Sequence, residues 1–303
     1  MSTFTGVLPV APTVFGADEE LDLDGQRRVL DYLVDGGNDA ICVLANYSEQ
    51  FSLTDAERAA VLRATVEHAA GRIPVVATTS HFSARVARER SLDAQQLGAA
   101  MVMLMPPFVG ATMTVDEEAV LDYFRRVCDG LEIDVMIQDA PLSPTPLPVA
   151  LLARIAREIP QVTHVKIETP RAADKLRALR AAAGADLPGL FDGEEAVTLV
   201  PDLEAGAIGT MSSCAVPDEL GVVVREFASG ARQAATERWE RLLPLIHFEN
   251  RQCGLRAAKV LLQEGGVIAS DVTRAPIEPL PPESRAQLIA LAKRIDPLVL
   301  RWA

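Results

Sequence analysis

The segment HVKIETP, residues 164 to 170, carries the clearest reactive group in the sequence. Lys166 lies in an otherwise apolar, strand-like run, and Glu168 follows two positions later. Lysine is rarely buried without a partner. The side chain could extend to solvent between helices, or form an ion pair with Glu168. Alternatively, burial could favour the neutral amine, which can attack a carbonyl carbon and form a Schiff base.

Other polar side chains stand at or just after the ends of further apolar runs. These positions matter because catalytic groups of (β/α)8 barrels lie at the C-terminal ends of the strands and in the loops that follow. Candidate catalytic residues are Lys166, Glu168, Gln138 and His81, and candidate substrate-binding residues are Thr13, Asn46, Tyr47, Ser48, Asp192, Glu194 and Ser212.

The elements that position these residues alternate regularly along the chain. Short apolar runs are each followed by a segment of helical period. One helix start, at Thr54, has Glu57 three residues later, which predicts a capping box. Eight strand-helix units predict a (β/α)8 barrel over residues 1–230, and the amphipathic segments of residues 231–303 predict a helical layer packed on it. The predicted strands are residues 7–13, 40–45, 73–79, 99–107, 134–141, 162–168, 187–193 and 207–213.

Composition excludes several classes of function. The net charge of -13 argues against binding to nucleic acid or to an anionic membrane. The start of the chain lacks a signal-peptide pattern, so a cytoplasmic location is expected. The four cysteines and four histidines lack metal-ligand spacing. We therefore expect no metal, no cofactor and no disulfide framework.

Four motifs resemble those of one enzyme superfamily. GVLPVAPTVF, ANYSEQFSLTDAER, HVKIETP and GAIGTMSS are similar, in this order, to segments of the dihydrodipicolinate synthase and N-acetylneuraminate lyase superfamily of Schiff-base TIM barrels. The resemblance spans nearly the whole chain. It implies that Lys166 is the Schiff-base lysine, that the substrate is a small 2-oxo acid, and that the protein is a homotetramer built as a dimer of dimers.

The departures from the family pattern narrow the expected reaction. QDAP, residues 138 to 141, stands where the synthases and lyases have YNxP, and Phe108 and Asn46 replace a second tyrosine and a threonine. The hydroxyl relay is therefore missing, which leaves Tyr47 as the phenol nearest the site. Lysine-precursor synthesis and sialic acid cleavage are accordingly not expected.

A second set of motifs resembles one subgroup of the superfamily, whose members dehydrate L-2-keto-3-deoxyarabonate to 2-oxoglutarate semialdehyde. The set comprises ANYSEQF, TTSH, IQDAP, KIETP, DGEEA, HFENRQ and DPLVLRWA. We therefore expect a dehydratase of a 2-keto-3-deoxy sugar acid. Two alternatives stay open: an aldolase that releases pyruvate from such an acid, and a non-catalytic barrel that binds a 2-oxo acid.

Expected roles follow for the individual residues. The loop of Asn46, Tyr47 and Ser48 would hold the substrate carboxylate, and Glu49 would tie that loop down. Glu168 would be either the base or the ion-pair partner of the lysine. Gln138 cannot titrate and would orient a hydroxyl or a water, whereas His81 is either an acid-base group or a plain loop histidine. Asp192 and Glu194 would bind sugar hydroxyls or cap a helix, and Glu195 would be a cap.

Overall fold

The computed structural model describes residues 4–110, 113 and 115–303. Its strands form one parallel sheet in the order β1-β8-β7-β6-β5-β4-β3-β2. This regular order is that of a barrel, and it confirms the predicted strand count and fold class. The strands are β1 Gly6–Val7, β2 Ile41–Val43, β3 Val75–Thr78, β4 Met101–Leu104, β5 Asp134–Asp139, β6 Val162–Ile167, β7 Gly189–Asp192 and β8 Gly209–Thr210.

The barrel closes between its first two strands through residues beyond the end of β1. Val10 forms a parallel bridge with Cys42, and the backbone N–H of Cys42 donates to the carbonyl of Pro9 at 2.9 Å. The first predicted strand is therefore interrupted. Pro9 and Pro12 have no backbone N–H, so a regular ladder cannot run through this segment.

Helices alternate with the strands, and a further group of helices follows the barrel. The predicted capping box is confirmed, because the Thr54 hydroxyl and the Glu57 side chain each bond to the other residue's backbone N–H. In the described part of the chain the helices are α1 Leu23–Asp35, α2 Asp55–Ala69, α3 Ala84–Gln96, α4 Glu117–Cys128, α5 Val149–Glu158, α6 Ala172–Ala183, α7 Leu199–Ala205, α8 Pro217–Ala228, α9 Arg232–Phe248, α10 Arg256–Glu264 and α11 Pro282–Ile295.

Two buried apolar clusters show which way each strand residue points. The inner cluster fills the barrel and includes Met101, Met103, Met136 and Phe191. The outer cluster lies between strands and helices and includes strand residues such as Val165. Because side chains alternate across a strand, residues two apart share a face. This alternation decides which polar residues face the interior of the barrel.

None of the helices in the described ranges is long and apolar enough to span a membrane.

Candidate active site

Lys166 lies on the inner face of β6, near its C-terminal end. Its neighbours Val165 and Ile167 belong to the outer cluster, so the lysine side chain points into the barrel. In register, Lys166 pairs with Gln138 on β5 and with Phe191 on β7. Only 3% of the residue is exposed, which excludes a side chain extended to solvent between helices.

Glu168 is the direct partner of the lysine. Lys166 Nζ lies 2.8 Å from Glu168 Oε1, and Gln138 Nε2 donates to the same oxygen at 2.7 Å. Burial lowers the pKa of Lys166, as expected for a desolvated amine, but the carboxylates of Glu168 and Glu195 outweigh it and the net shift is upward. The resting amine is therefore an ammonium, with Glu168 positioned to accept its proton.

The backbone beside this pair comes close to both side chains. A Cβ on Gly193 would lie 2.7 Å from Cγ of Lys166 and 2.7 Å from Cγ of Glu168. Glycine is therefore required at the end of β7 to leave room for the pair.

Glu195 lies near Lys166, and its role differs from the one expected from the sequence. The expectation that it caps a helix is wrong, because α7 begins at Leu199 after the N-cap residue Thr198. Its carboxyl instead accepts a hydrogen bond from Asn250 Nδ2 at 3.2 Å and acts electrostatically on Lys166. Burial raises the pKa of Glu195 well above its ordinary value, although the Lys166 ammonium opposes this rise. The protonated acid is thus favoured.

A π-helical turn at Glu249–Cys253 brings the C-terminal layer to the same site. Besides the contact of Asn250 with Glu195, Arg251 lies 3.6 Å from Glu194. Burial raises the pKa of Glu249 to about 7, and a hydrogen bond from Ser213 opposes this rise. The motif HFENRQ was the available signal for these residues, but it did not indicate that they contact the loop after β7. Such π turns are often found at functional sites.

The loop after β2 forms the opposite wall. Residues Asn46–Ser48 make one 3-10 turn, and no acceptor in the described ranges engages the backbone N–H of Asn46 or Tyr47. Tyr47 packs against the inner cluster. Burial raises the pKa of the Tyr47 phenol, and so do the nearby carboxylates, of which Glu195 has the largest effect. The phenol therefore stays protonated. The protonated Tyr47 phenol is within electrostatic reach of the carboxyl groups of the site and can act as a donor there.

Thr13 and Ser48 join the first two loops. Thr13 Oγ1 donates to the carbonyl of Ser48 at 2.6 Å, and Ser48 Oγ donates to the carbonyl of Ala11 at 2.6 Å. Ser212 Oγ donates to the carbonyl of Ser213 at 3.1 Å. All three hydroxyl protons are engaged by the backbone, so these residues shape the wall of the site.

Asp192 points away from the open site. It follows Phe191, which faces the interior of the barrel, so its own side chain faces the helices. It is fully buried, and it accepts a hydrogen bond from Thr210. Burial and the neighbouring Asp202 raise its pKa well above the ordinary value. The expected contact of Asp192 with sugar hydroxyls is therefore wrong for this conformation, and it caps no helix.

His81 is also separate from the lysine. Its Nδ1 accepts a hydrogen bond from the backbone N–H of Ser83 at 3.0 Å. The exposed ring lines a surface cavity of about 300 Å³ with Phe51, Phe82 and Phe108. Partial desolvation against the protein surface, and then the charge of Arg90, lower the pKa of His81 below its ordinary value. The structure thus brings together Lys166, Glu168 and Gln138 but not His81.

The described residues contain no group of three or more His, Cys, Asp or Glu side chains arranged to hold a metal ion. The site instead offers an amine, a carboxylate that can take its proton, a carboxyl group held in the acid form, and neutral donors. These features, on the inner face of the barrel near the C-terminal ends of its strands, are typical of a (β/α)8 enzyme site, and a buried lysine lies among them.

Comparison with known proteins agrees with this class. The family model described as "Dihydrodipicolinate synthetase family" matches residues 3–295, and the chain belongs to this family. It is 51% identical over 298 residues to an L-2-keto-3-deoxyarabonate dehydratase from Azospirillum brasilense, which covers 98% of this chain and 96% of that protein. It is 32% identical to 4-hydroxy-tetrahydrodipicolinate synthase 2 of Streptomyces coelicolor, over 94% of this chain and 93% of that one.

A solved structure shows the same fold. The dihydrodipicolinate synthase of Rhodopseudomonas palustris superimposes with a TM-score of 0.89 at 26% sequence identity, over 96% of this chain and 98% of that chain.

Proposed function

We propose that this protein is a hydro-lyase that converts L-2-keto-3-deoxyarabonate to 2-oxoglutarate semialdehyde and water through a Schiff base at Lys166. The observation that carries the proposal is the buried set of Lys166, Glu168 and Gln138. The set supplies a carboxylate beside the amine, and Gln138 supplies an amide where, by the sequence resemblance, the synthases have a tyrosine. The similarity over 98% of the chain to a dehydratase of this substrate supports the same conclusion.

Schiff-base formation begins with the ion pair. Glu168 takes a proton from the Lys166 ammonium, which lies 2.8 Å away. The free amine attacks the C2 carbonyl carbon of the substrate. The C2 oxygen then leaves as water after taking one proton from the amine and one back from Glu168, which is again a carboxylate. The product is a protonated imine, which draws electrons from C3 and makes the C3 protons acidic.

Elimination requires one base and one acid. Glu168 removes a C3 proton, and the resulting enamine expels the C4 hydroxyl, which Glu195 protonates so that it leaves as water. Because the pKa of Glu195 is raised, that residue holds a proton for this step. Gln138 holds Glu168 in place through its amide N–H, and its carbonyl oxygen has no partner among the described residues.

The remaining steps move protons and release the product. Loss of a proton from C5 gives a conjugated enol. Protonation at C3 restores the imine, and protonation at C4 with loss of the C5 hydroxyl proton gives the aldehyde at C5. Hydrolysis of the imine frees Lys166 and the 2-oxo acid. The net change is the loss of one water.

The substrate carboxylate fits the β2 loop best. The backbone N–H groups of Asn46 and Tyr47 are free of acceptors in the described ranges, and the amide of Asn46 and the phenol of Tyr47 add neutral donors. Local donors of this kind allow an acidic protein to bind an anion. Thr13 and Ser48 hold the loop in place, and Glu194 lies on the wall opposite it with Arg251.

Product analysis tests the proposal. Purified protein is incubated with L-2-keto-3-deoxyarabonate, and 2-oxoglutarate semialdehyde and pyruvate are both measured, with Lys166→Met as the inactive control. Semialdehyde as the main product supports dehydration, and pyruvate as the main product would establish the aldolase instead. Borohydride treatment with pyruvate that leaves Lys166 unlabelled would favour a non-catalytic binding role.

We further propose that the protein acts in the cytoplasm as a homotetramer. Exposed Phe51, Val109, Met113 and Leu142 lie in loops on the side of the barrel where the site opens, and such apolar side chains support contact between subunits. Light scattering after size exclusion tests the tetramer, and a monomer at micromolar concentration would refute it. Fractionation of the native cells tests the location.

A further inference from the structure

Lys259, on α10, is a buried cation that has no part in the proposed chemistry. Its side chain is fully buried and forms an ion pair with the fully buried Glu49. Its Nζ also donates to the carbonyl of Val272 at 2.8 Å and lies 4.4 Å from the centroid of the Phe15 ring. A buried ion pair is costly to desolvate, so it contributes to the fold only when it is fully hydrogen-bonded.

Glu49 is the residue on which the shape of the β2 loop depends. It connects two 3-10 turns, Asn46–Ser48 and Gln50–Ser52, with φ 57° and ψ 40°. This left-handed conformation is unfavourable for a residue with a side chain, and surrounding contacts must hold it. The backbone N–H of Glu49 closes the first turn on the carbonyl of Asn46 at 3.1 Å.

Contacts from the C-terminal layer hold Glu49 and the far end of the loop. Besides Lys259, the backbone N–H of Arg274 donates to Glu49 Oε2 at 2.9 Å. The Arg274 guanidinium donates to the carbonyl of Ser52 at 2.9 Å. These partners are more than 200 positions away in sequence, so only the docked C-terminal layer can supply them.

We propose that Lys259 is a positioning residue for the substrate carboxylate: by pairing with Glu49 it keeps the β2 loop in the turn that presents the N–H groups of Asn46 and Tyr47. The inference rests on the proposed function, since it presumes a 2-oxo acid in the site. It assigns to the C-terminal layer a part in carboxylate recognition. Lys259 itself touches no substrate.

Two ketones separate this role from a purely structural one. Pyruvate and hydroxyacetone differ by a carboxylate in place of a hydroxymethyl group, and borohydride trapping of each, read by intact-protein mass spectrometry, reports imine formation. In Lys259→Met we expect the pyruvate concentration for half-maximal labelling to rise by about tenfold, as for the loss of a hydrogen bond to a charged group. Labelling by hydroxyacetone should change less than about twofold.

Matched variants keep the experiment decisive. Lys293→Met removes an exposed lysine that pairs with Glu264 on the outer helices, and it should behave as wild type with both ketones. Glu49→Gln preserves the shape of the side chain and weakens the ion pair, so it tests the positioning role if Lys259→Met does not fold. It should also raise the pyruvate concentration needed for half-maximal labelling.

An equal loss with both ketones, or unchanged labelling by pyruvate in a folded variant, would overturn the positioning role. Wild-type protein that pyruvate does not label would instead refute the proposed Schiff base, and this inference with it.

Discussion

The buried carboxyl group of Glu249, in the π-helical turn, provides a quantitative test of the pH dependence of stability. Glu249 is 1% exposed, one of its carboxyl oxygens has no partner among the described residues, and burial raises its pKa from 4.5 to about 7. The folded state therefore holds a proton that the unfolded chain releases. The free energy of unfolding of the wild-type protein should therefore fall as pH rises from about 4.5 to about 7. Above about pH 7, ionisation of Glu249 should lower it no further.

The size of the effect follows from the shift. One pKa unit corresponds to 1.36 kcal/mol, so ionising Glu249 in the folded protein costs roughly 3 kcal/mol at pH 8. At an unfolding entropy of ~2.1 cal/mol/K per residue, this corresponds to about 5 °C in Tm. Glu249→Gln mimics the protonated acid, so it should leave stability near that of wild type at pH 5 and raise it at pH 8.

Urea unfolding from pH 5 to pH 8.5 at fixed protein concentration measures this difference. Glu240→Gln is the matched control, since Glu240 is exposed on α9 and should run parallel to wild type. If the curves for Glu249→Gln and wild type are also parallel, Glu249 does not titrate in this range, and the inference that the folded protein holds a proton on Glu249 is wrong.

Four further outcomes are expected. Lys166→Met should abolish borohydride labelling and lower turnover by at least about 10³-fold, with unchanged circular dichroism. Glu168→Gln should lower kcat by about 10²-fold or more and leave KM near wild type, since it removes a proton-transfer group; a change confined to KM would contradict this role. Gly193→Ala should destabilise the protein by ~1–3 kcal/mol in thermal unfolding and reduce labelling, because its Cβ meets Lys166. Thr54→Ala should cost ~1 kcal/mol by loss of the cap in urea unfolding, without altering kcat.

The predicted elements largely agree with the fold because their signals are local. The strand-helix alternation and the capping box at Thr54 depend on residues close in sequence, and both are found. Strand ends were less accurate. The predicted run of residues 207–213 contains only Gly209–Thr210 as a regular strand, since pairing with a neighbouring strand, and not hydrophobicity, decides where a ladder stops.

The sequence by itself determined that Lys166 stands in the sixth of eight strands with Glu168 beside it, and that the usual tyrosine is absent. It could not determine the direction of each strand residue, because both faces of a parallel barrel strand are apolar. Asp192 was therefore assigned to the site although it faces the helices. Tertiary structure alone decided that Glu195 lies near the lysine, and that the turn at Glu249–Cys253 reaches the mouth of the barrel. Glu195 is 29 positions from Lys166 in the sequence, and Asn250 of that turn is 55 positions from Glu195, separations that no local pattern encodes.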